Sequence, residues 1–188
     1  MNFVSSAADT GSWLSVQLSK KWDGPYAFCR MEHRSFHNFS DTEAWFVAAG
    51  GGYGLTQWLN ADLSYEYWKV NSAISVHKAV LAVNATLARG GLSATLREKV
   101  ELSFLPDSST GWTFRTRLRV QYAFDKVPFR PYVMVEFFNN SAWIRTLHYI
   151  GTDIVINRHH SFDLFYMYNL QAVEPSLNII GAGYYFNF

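Results

Sequence analysis

Apolar and polar residues alternate with a period of two along almost the whole chain, and nowhere do they fall into the three-and-four spacing of an amphipathic helix. The clearest stretch is Trp112 to Phe124. Trp112, Phe114, Leu118, Val120, Tyr122 and Phe124 make one face, and Thr113, Arg115, Arg117, Arg119 and Gln121 make the other. The same alternation predicts strands over 12–22, 26–38, 43–55, 59–70, 77–88, 92–104, 112–124, 129–139, 143–157, 160–170 and 177–188. Tight connections are expected at 23–24, 56–58, 89–90, 125–128 and 158–159, with longer, more polar ones at 39–42, 71–76 and 105–111. Pro25, Pro106 and Pro128 lie in or beside these connections, Pro131 shortly after one, and Pro175 between the last two expected strands, where no ladder hydrogen bond is lost.

A single strand of this kind would also suit a β-sandwich, with its arginines in water. The ensemble does not. Nearly every strand pairs a broad aromatic and aliphatic face with a face that mixes charge, amide and glycine, as a closed barrel in lipid around a polar lumen requires. The expected fold is therefore all-β, a single transmembrane antiparallel β-barrel over residues 1–188 with a polar, charged lumen. Its last strand places Ile180, Ala182, Tyr184, Phe186 and Phe188 on one face, the pattern of an insertion signal read by the barrel-assembly machinery of the bacterial outer membrane. Bacterial barrels are normally even-stranded, and ten to twelve strands fit the chain. About twelve are expected if a short strand at 3–8, turning at 9–11, precedes the eleven above.

Composition sharpens this reading. Aromatic residues make up 18% of the chain, with seven Trp and eleven Tyr, an excess that interfacial aromatic girdles explain. The net charge of +1 gives nucleic acid nothing to bind. Cys29 is the one cysteine and has no partner for an internal disulfide. Residues 1–11 lack the basic start and apolar run of a secretory leader, so a leader is expected to have been removed ahead of them.

Alternation also sorts the charged residues. Arg30, Glu32, Arg34, Asp62, Glu66, Arg97, Lys99, Glu101, Arg115, Arg117, Arg119 and Glu136 fall on inward faces, with Lys21, Arg145, Asp153 and Asp163 beside them. Counting back from the turn at 125–128 sets Arg117 opposite Glu136 as an ion-pair partner. The turn at 56–58 sets Gly52 opposite Asp62 and Ala48 opposite Glu66, and Gly50, Gly52 and Gly54 leave a wall with room for long charged chains. Two readings of this network stand side by side. Paired charges fill a narrow, structural barrel, or the basic excess, led by Arg115, Arg117 and Arg119, lines a path for anions.

The order of several short segments resembles the DUF2490 family, outer-membrane barrel proteins of Bacteroidota. They are Trp13-Leu14-Ser15-Val16, Arg30-Met31-Glu32-His33-Arg34, Trp112 to Arg119, Pro131 to Phe138, Phe162 to Tyr168 and Ile179 to Tyr184. The resemblance implies a barrel and an outer-membrane address, and it brings no catalytic residue with it.

One constellation offers chemistry. His33 and Ser35 lie two apart on an outward face, and a hairpin about Phe39 would set Glu43 opposite Ser35. Glu43 orienting His33, and His33 activating Ser35, would make a lipid-facing serine hydrolase acting on phospholipid or lipid A. No cofactor is expected and no metal site, since alternate side chains diverge at His159-His160 while His77 and His148 lie on distant strands. The sequence thus favours a non-enzymatic outer-membrane barrel in contact with lipid, either a narrow anion-favouring channel or a structural partner of another outer-membrane protein. Glu98, outward between Leu96 and Val100, hints at such a partner, because charge on a lipid face is costly.

Overall fold

The computed structural model describes residues 9–106, 109–172 and 176–188, and these contain eleven strands and no helix. The strands are β1 (Asp9–Lys21), β2 (Pro25–Phe36), β3 (Asp41–Gly54), β4 (Leu59–Val70), β5 (Ile74–Arg89), β6 (Leu92–Phe104), β7 (Thr110–Tyr122), β8 (Phe129–Asn140), β9 (Ala142–Val155), β10 (His160–Gln171) and β11 (Leu177–Asn187). Each pairs with its sequence neighbours in antiparallel ladders, and β1 pairs with β11 to close a barrel.

That closing seam corrects the expected strand count. With eleven alternating strands the first and last run the same way, and β1 and β11 pair in parallel from Asp9↔Leu177 to Ser19↔Asn187. Residues 9–11, expected as a turn, belong to β1. The strand expected at 3–8 lies outside the described residues. Parallel pairing is slightly weaker per residue than antiparallel, and one side-chain and one main-chain bond reinforce it here: the Ser19 hydroxyl donates to Asn187 Oδ1 at 2.5 Å, and the Phe188 backbone amide donates to the Ser19 carbonyl.

The expected division into tight and longer connections does not hold. Strand β5 starts at Ile74, so the connection expected over 71–76 shrinks to three residues, with Asn71 and Ser72 at positive φ. The longest of the expected tight turns runs instead to six residues, 123–128. One end of the barrel carries Asp9 and the connections at 37–40, 71–73 and 141; the other carries Phe188 and the connections at 22–24, 55–58 and 90–91.

Every strand exposes large apolar side chains on its outer face, among them Leu14, Met31, Leu63, Phe114, Val133 and Ile180. Contiguous apolar surface around a whole barrel exceeds what water-soluble monomers present. Inside, the filling is less uniformly polar than expected. Trp13, Tyr132, Phe138, Leu147, Tyr149, Met167 and Ile179 form one buried apolar cluster, and Ala44, Phe46, Ala48, Trp68 and Val76 a second.

The inward glycines make room for rings rather than for charged chains. Tyr26 lies opposite Gly52 and Phe28 opposite Gly50 on the β2–β3 ladder, and their ring atoms stand 2.5 and 2.8 Å from where each glycine's Cβ would sit. Tyr132 covers Gly151 across β8–β9 and Phe165 covers Gly181 across β10–β11 in the same way. Laying a ring over the missing Cβ of a directly opposed glycine packs a narrow interior and pins the register.

Candidate functional site

The turn geometry delivers the expected registers. Gly52 lies opposite Asp62, Ala48 opposite Glu66 and Arg117 opposite Glu136. The ion pairs follow a different rule, because long side chains reach diagonally along the strands. Glu136 accepts from Arg115, with Oε1 at 3.0 Å from Nε and 2.9 Å from a terminal nitrogen, and no ion pair joins it to Arg117.

From Arg115 a continuous zigzag of charge crosses the lumen. Arg115 reaches Glu101 at 2.5 Å; Glu101 takes Lys99 at 2.8 Å and Lys78 at 3.0 Å; Lys99 reaches Glu66 at 3.2 Å, and Glu66 faces Arg30 at 3.5 Å. The three carboxylates, Glu66, Glu101 and Glu136, are no more than 2% exposed, and Lys99 is 3% exposed. Four bases meet three acids, so the chain is satisfied and carries one positive charge over.

The other inward residues sit around this zigzag. Glu32 and Arg34 pair at 2.7 Å, and Arg119 pairs with Asp153 at 2.8 Å. Asp62 accepts from the Asn84 amide and the Tyr26 hydroxyl. Asp163 accepts from the Tyr132 hydroxyl at 2.8 Å. Arg97 faces Arg117 across the β6–β7 ladder, and neither has a carboxylate within ion-pair distance among the described residues.

Aromatic rings support the guanidinium groups, and these are the residues the charge pattern alone does not reveal. Arg34 lies 3.8 Å from the Trp13 ring and 4.7 Å from that of Trp68; Arg119 lies 3.7 Å from Tyr132; Arg115 and Arg145 each lie 4.2 Å from Phe138. Stacking of this kind holds a cation where a partner carboxylate is short. Parity carried the signal: Trp68 is two residues from Glu66 and Phe138 two from Glu136, so both pairs share an inward face.

Three cavities lie in series along the lumen, of about 290 Å³ toward the Asp9 end, about 130 Å³ at the centre and about 160 Å³ toward the Phe188 end. Arg34, Trp68 and Arg115 line both the Asp9-end and central cavities, and Arg30, Glu66 and Arg97 line both the central and Phe188-end ones. Each constriction therefore carries two arginines.

The hydrolase constellation does not assemble. A bulge between Arg34 and Ser35 pairs Ser35 with Thr42 and leaves Glu43 as the extra residue. Glu43 consequently turns inward and lines the Asp9-end cavity rather than standing opposite Ser35 on the outside. His33 hydrogen-bonds Thr42 Oγ1 at 3.2 Å, whereas the buried Ser35 hydroxyl bonds that of Ser12 at 2.7 Å. His159 and His160 also diverge, Nδ1 of the first bonding the Asn187 carbonyl and Nδ1 of the second the Tyr184 hydroxyl.

A closed barrel with an apolar outer surface and arginine-lined constrictions has the fold of the porin-type β-barrels. Solved structures with this fold include the KdgM porin, 12% identical with a TM-score of 0.57 over 88% of this chain and 87% of that one. The KdgM porin in complex with disordered oligogalacturonate matches with the same values. The NanC porin is 13% identical, with a TM-score of 0.59 over 95% of this chain and 96% of that one. The chain itself belongs to the DUF2490 family, described as proteins of unknown function, whose pattern matches residues 10–178. No curated protein matches the sequence.

Proposed function

We propose that the protein spans the bacterial outer membrane, its apolar outer face against lipid, as a narrow, non-enzymatic channel that favours anions. The observation that carries this reading is the pair of arginines at each constriction: Arg34 and Arg115 between the first two cavities, Arg30 and Arg97 between the second two. A solute moving through the lumen passes both sets. Rings of fixed cations lower the barrier for anions and raise it for cations. The oligogalacturonate of the KdgM complex is an acidic saccharide, which suits the same solute class.

Reconstitution in planar bilayers under a salt gradient tests the proposal. The reversal potential of the wild type should report chloride preferred over potassium, and Arg30→Gln with Arg34→Gln should reduce that preference. A cation preference, or silence across repeated insertions of verified folded protein, would overturn it. Silence would favour the structural-partner reading, for which Glu98 speaks. Its carboxylate is exposed on the outer face at mid-strand and accepts from the Thr116 hydroxyl at 2.9 Å, amid apolar neighbours.

A further inference from the structure

The lumen zigzag accounts for Arg30, Lys78, Lys99 and Arg115, and leaves Arg97 and Arg117 without acids within ion-pair distance among the described residues. These two are directly opposed on the β6–β7 ladder. Directly opposed residues in an antiparallel pair have Cβ atoms about 4.5–5.5 Å apart, and like charges there destabilise the pair. Arg117, Arg115 and Arg30 all repel the charge on Arg97, while Glu136 attracts it. Yet Glu136 is already held twice by Arg115. The Nε atoms of Arg97 and Arg30 are buried and lack any hydrogen-bond acceptor. Buried donors of this kind are rarely left unmade, because each forfeits its interaction with water.

Both orphaned groups line the constriction between the central and Phe188-end cavities, and Arg117 lines the central cavity beside them. Two guanidinium groups thus stand at the waist and a third on its central side, with about 130 Å³ of space on one side and about 160 Å³ on the other. Guanidinium forks match the planar, two-oxygen geometry of a carboxylate. The central cavity also offers flat rings (Trp13, Tyr132, Tyr149) and acceptors able to take hydroxyl groups (Glu32, Asp163).

We infer that Arg97 and Arg117, with Arg30 at the edge, form a binding site for the carboxylate of a small hydroxylated solute such as a sugar acid. The bound carboxylate supplies the acceptors that the zigzag does not, and separates two like charges that otherwise face each other. A hydroxylated carboxylate fits the central cavity better than inorganic phosphate, because it can also lay an apolar face on the Trp13, Tyr132 and Tyr149 rings. The inference rests on the channel reading for its purpose, since an affinity site at the waist selects what passes; the binding itself needs no conduction.

Titration calorimetry on the barrel folded in detergent at low ionic strength tests it, with glucuronate as the probe and glucose and inorganic phosphate as comparisons. Glucuronate should bind saturably, glucose should not, and phosphate should bind more weakly than glucuronate. Arg97→Met and Arg117→Met should each weaken glucuronate about 10- to 100-fold, the loss expected for a hydrogen bond to a charged group. Arg145→Met serves as the control: this guanidinium also has an orphaned Nε but lines the Asp9-end cavity, so its loss should leave affinity unchanged. Urea denaturation of each variant verifies that the barrel is intact. Absence of saturable glucuronate binding, equal binding of glucose, preference for phosphate, or affinity that ignores Arg97 and Arg117 would each overturn the site. Binding with these hallmarks in a barrel that passes no current would uphold the site and remove the channel.

Discussion

Replacing Arg115 by Met should destabilise the barrel far more than replacing Arg117 by Met, although Arg117 is the residue directly opposite Glu136. Arg115 holds Glu136 through two nitrogens and also contacts Glu101. When it is truncated, Glu101 keeps Lys78 and Lys99, but Glu136 is left 2% exposed with no ion-pair partner. Breaking a buried pair from one side costs about 3–5 kcal/mol. Loss of the cation over Phe138 adds about 1 kcal/mol. Against a typical total stability of about 5–15 kcal/mol, this is a large fraction. Arg117→Met removes a charge that faces Arg97, so its effect should stay within about 0.5 kcal/mol of zero. Urea titration in lipid vesicles, followed by tryptophan fluorescence, gives both values. The double-mutant cycle with Glu136→Gln should show a coupling of about 2–3 kcal/mol for Arg115 and almost none for Arg117. Equal losses from the two single variants, or additive behaviour of Arg115→Met with Glu136→Gln, would refute the diagonal pairing.

Gly52→Ala should cost about 1–3 kcal/mol in the same assay, since its Cβ would stand 2.5 Å from both the Ala61 carbonyl oxygen and the Tyr26 ring. Shortening the ring as well, in Gly52→Ala with Tyr26→Leu, should recover only part of this because the carbonyl contact remains. Ser35→Ala should cost about 1 kcal/mol through loss of its bond to Ser12. It should leave fatty-acid release from phospholipid vesicles at the level of a protein-free control; release by the wild type that the variant abolishes would restore the hydrolase. Phe188→Asp, at the end of the outward row from Ile180, should lower the amount of barrel assembled in cells while leaving refolding in detergent intact. Unchanged membrane levels would remove the insertion-signal reading.

Period two determined most of the architecture, because a strand side chain has only two directions to point. Once Trp112 to Phe124 shows an apolar face and an arginine face, the inside and outside of β7 follow. Short turns then set the registers that place Arg117 opposite Glu136 and Ala48 opposite Glu66. The constellation of inward charge was legible for the same reason. Its wiring was not. Arginine and lysine side chains reach the diagonal neighbour about 7–8 Å away as easily as the one directly across, so the choice of Arg115 over Arg117 depends on where the competing cations and the Phe138 ring lie. The Glu43 bulge, which moves a carboxylate from the outside to the lumen, adds one residue to one strand and leaves no mark on the alternation until the opposite strand is in place. Closure is the least local event of all. Ser19 and Asn187 are 168 residues apart in sequence, and only the completed barrel decides that they meet in a parallel seam of eleven strands.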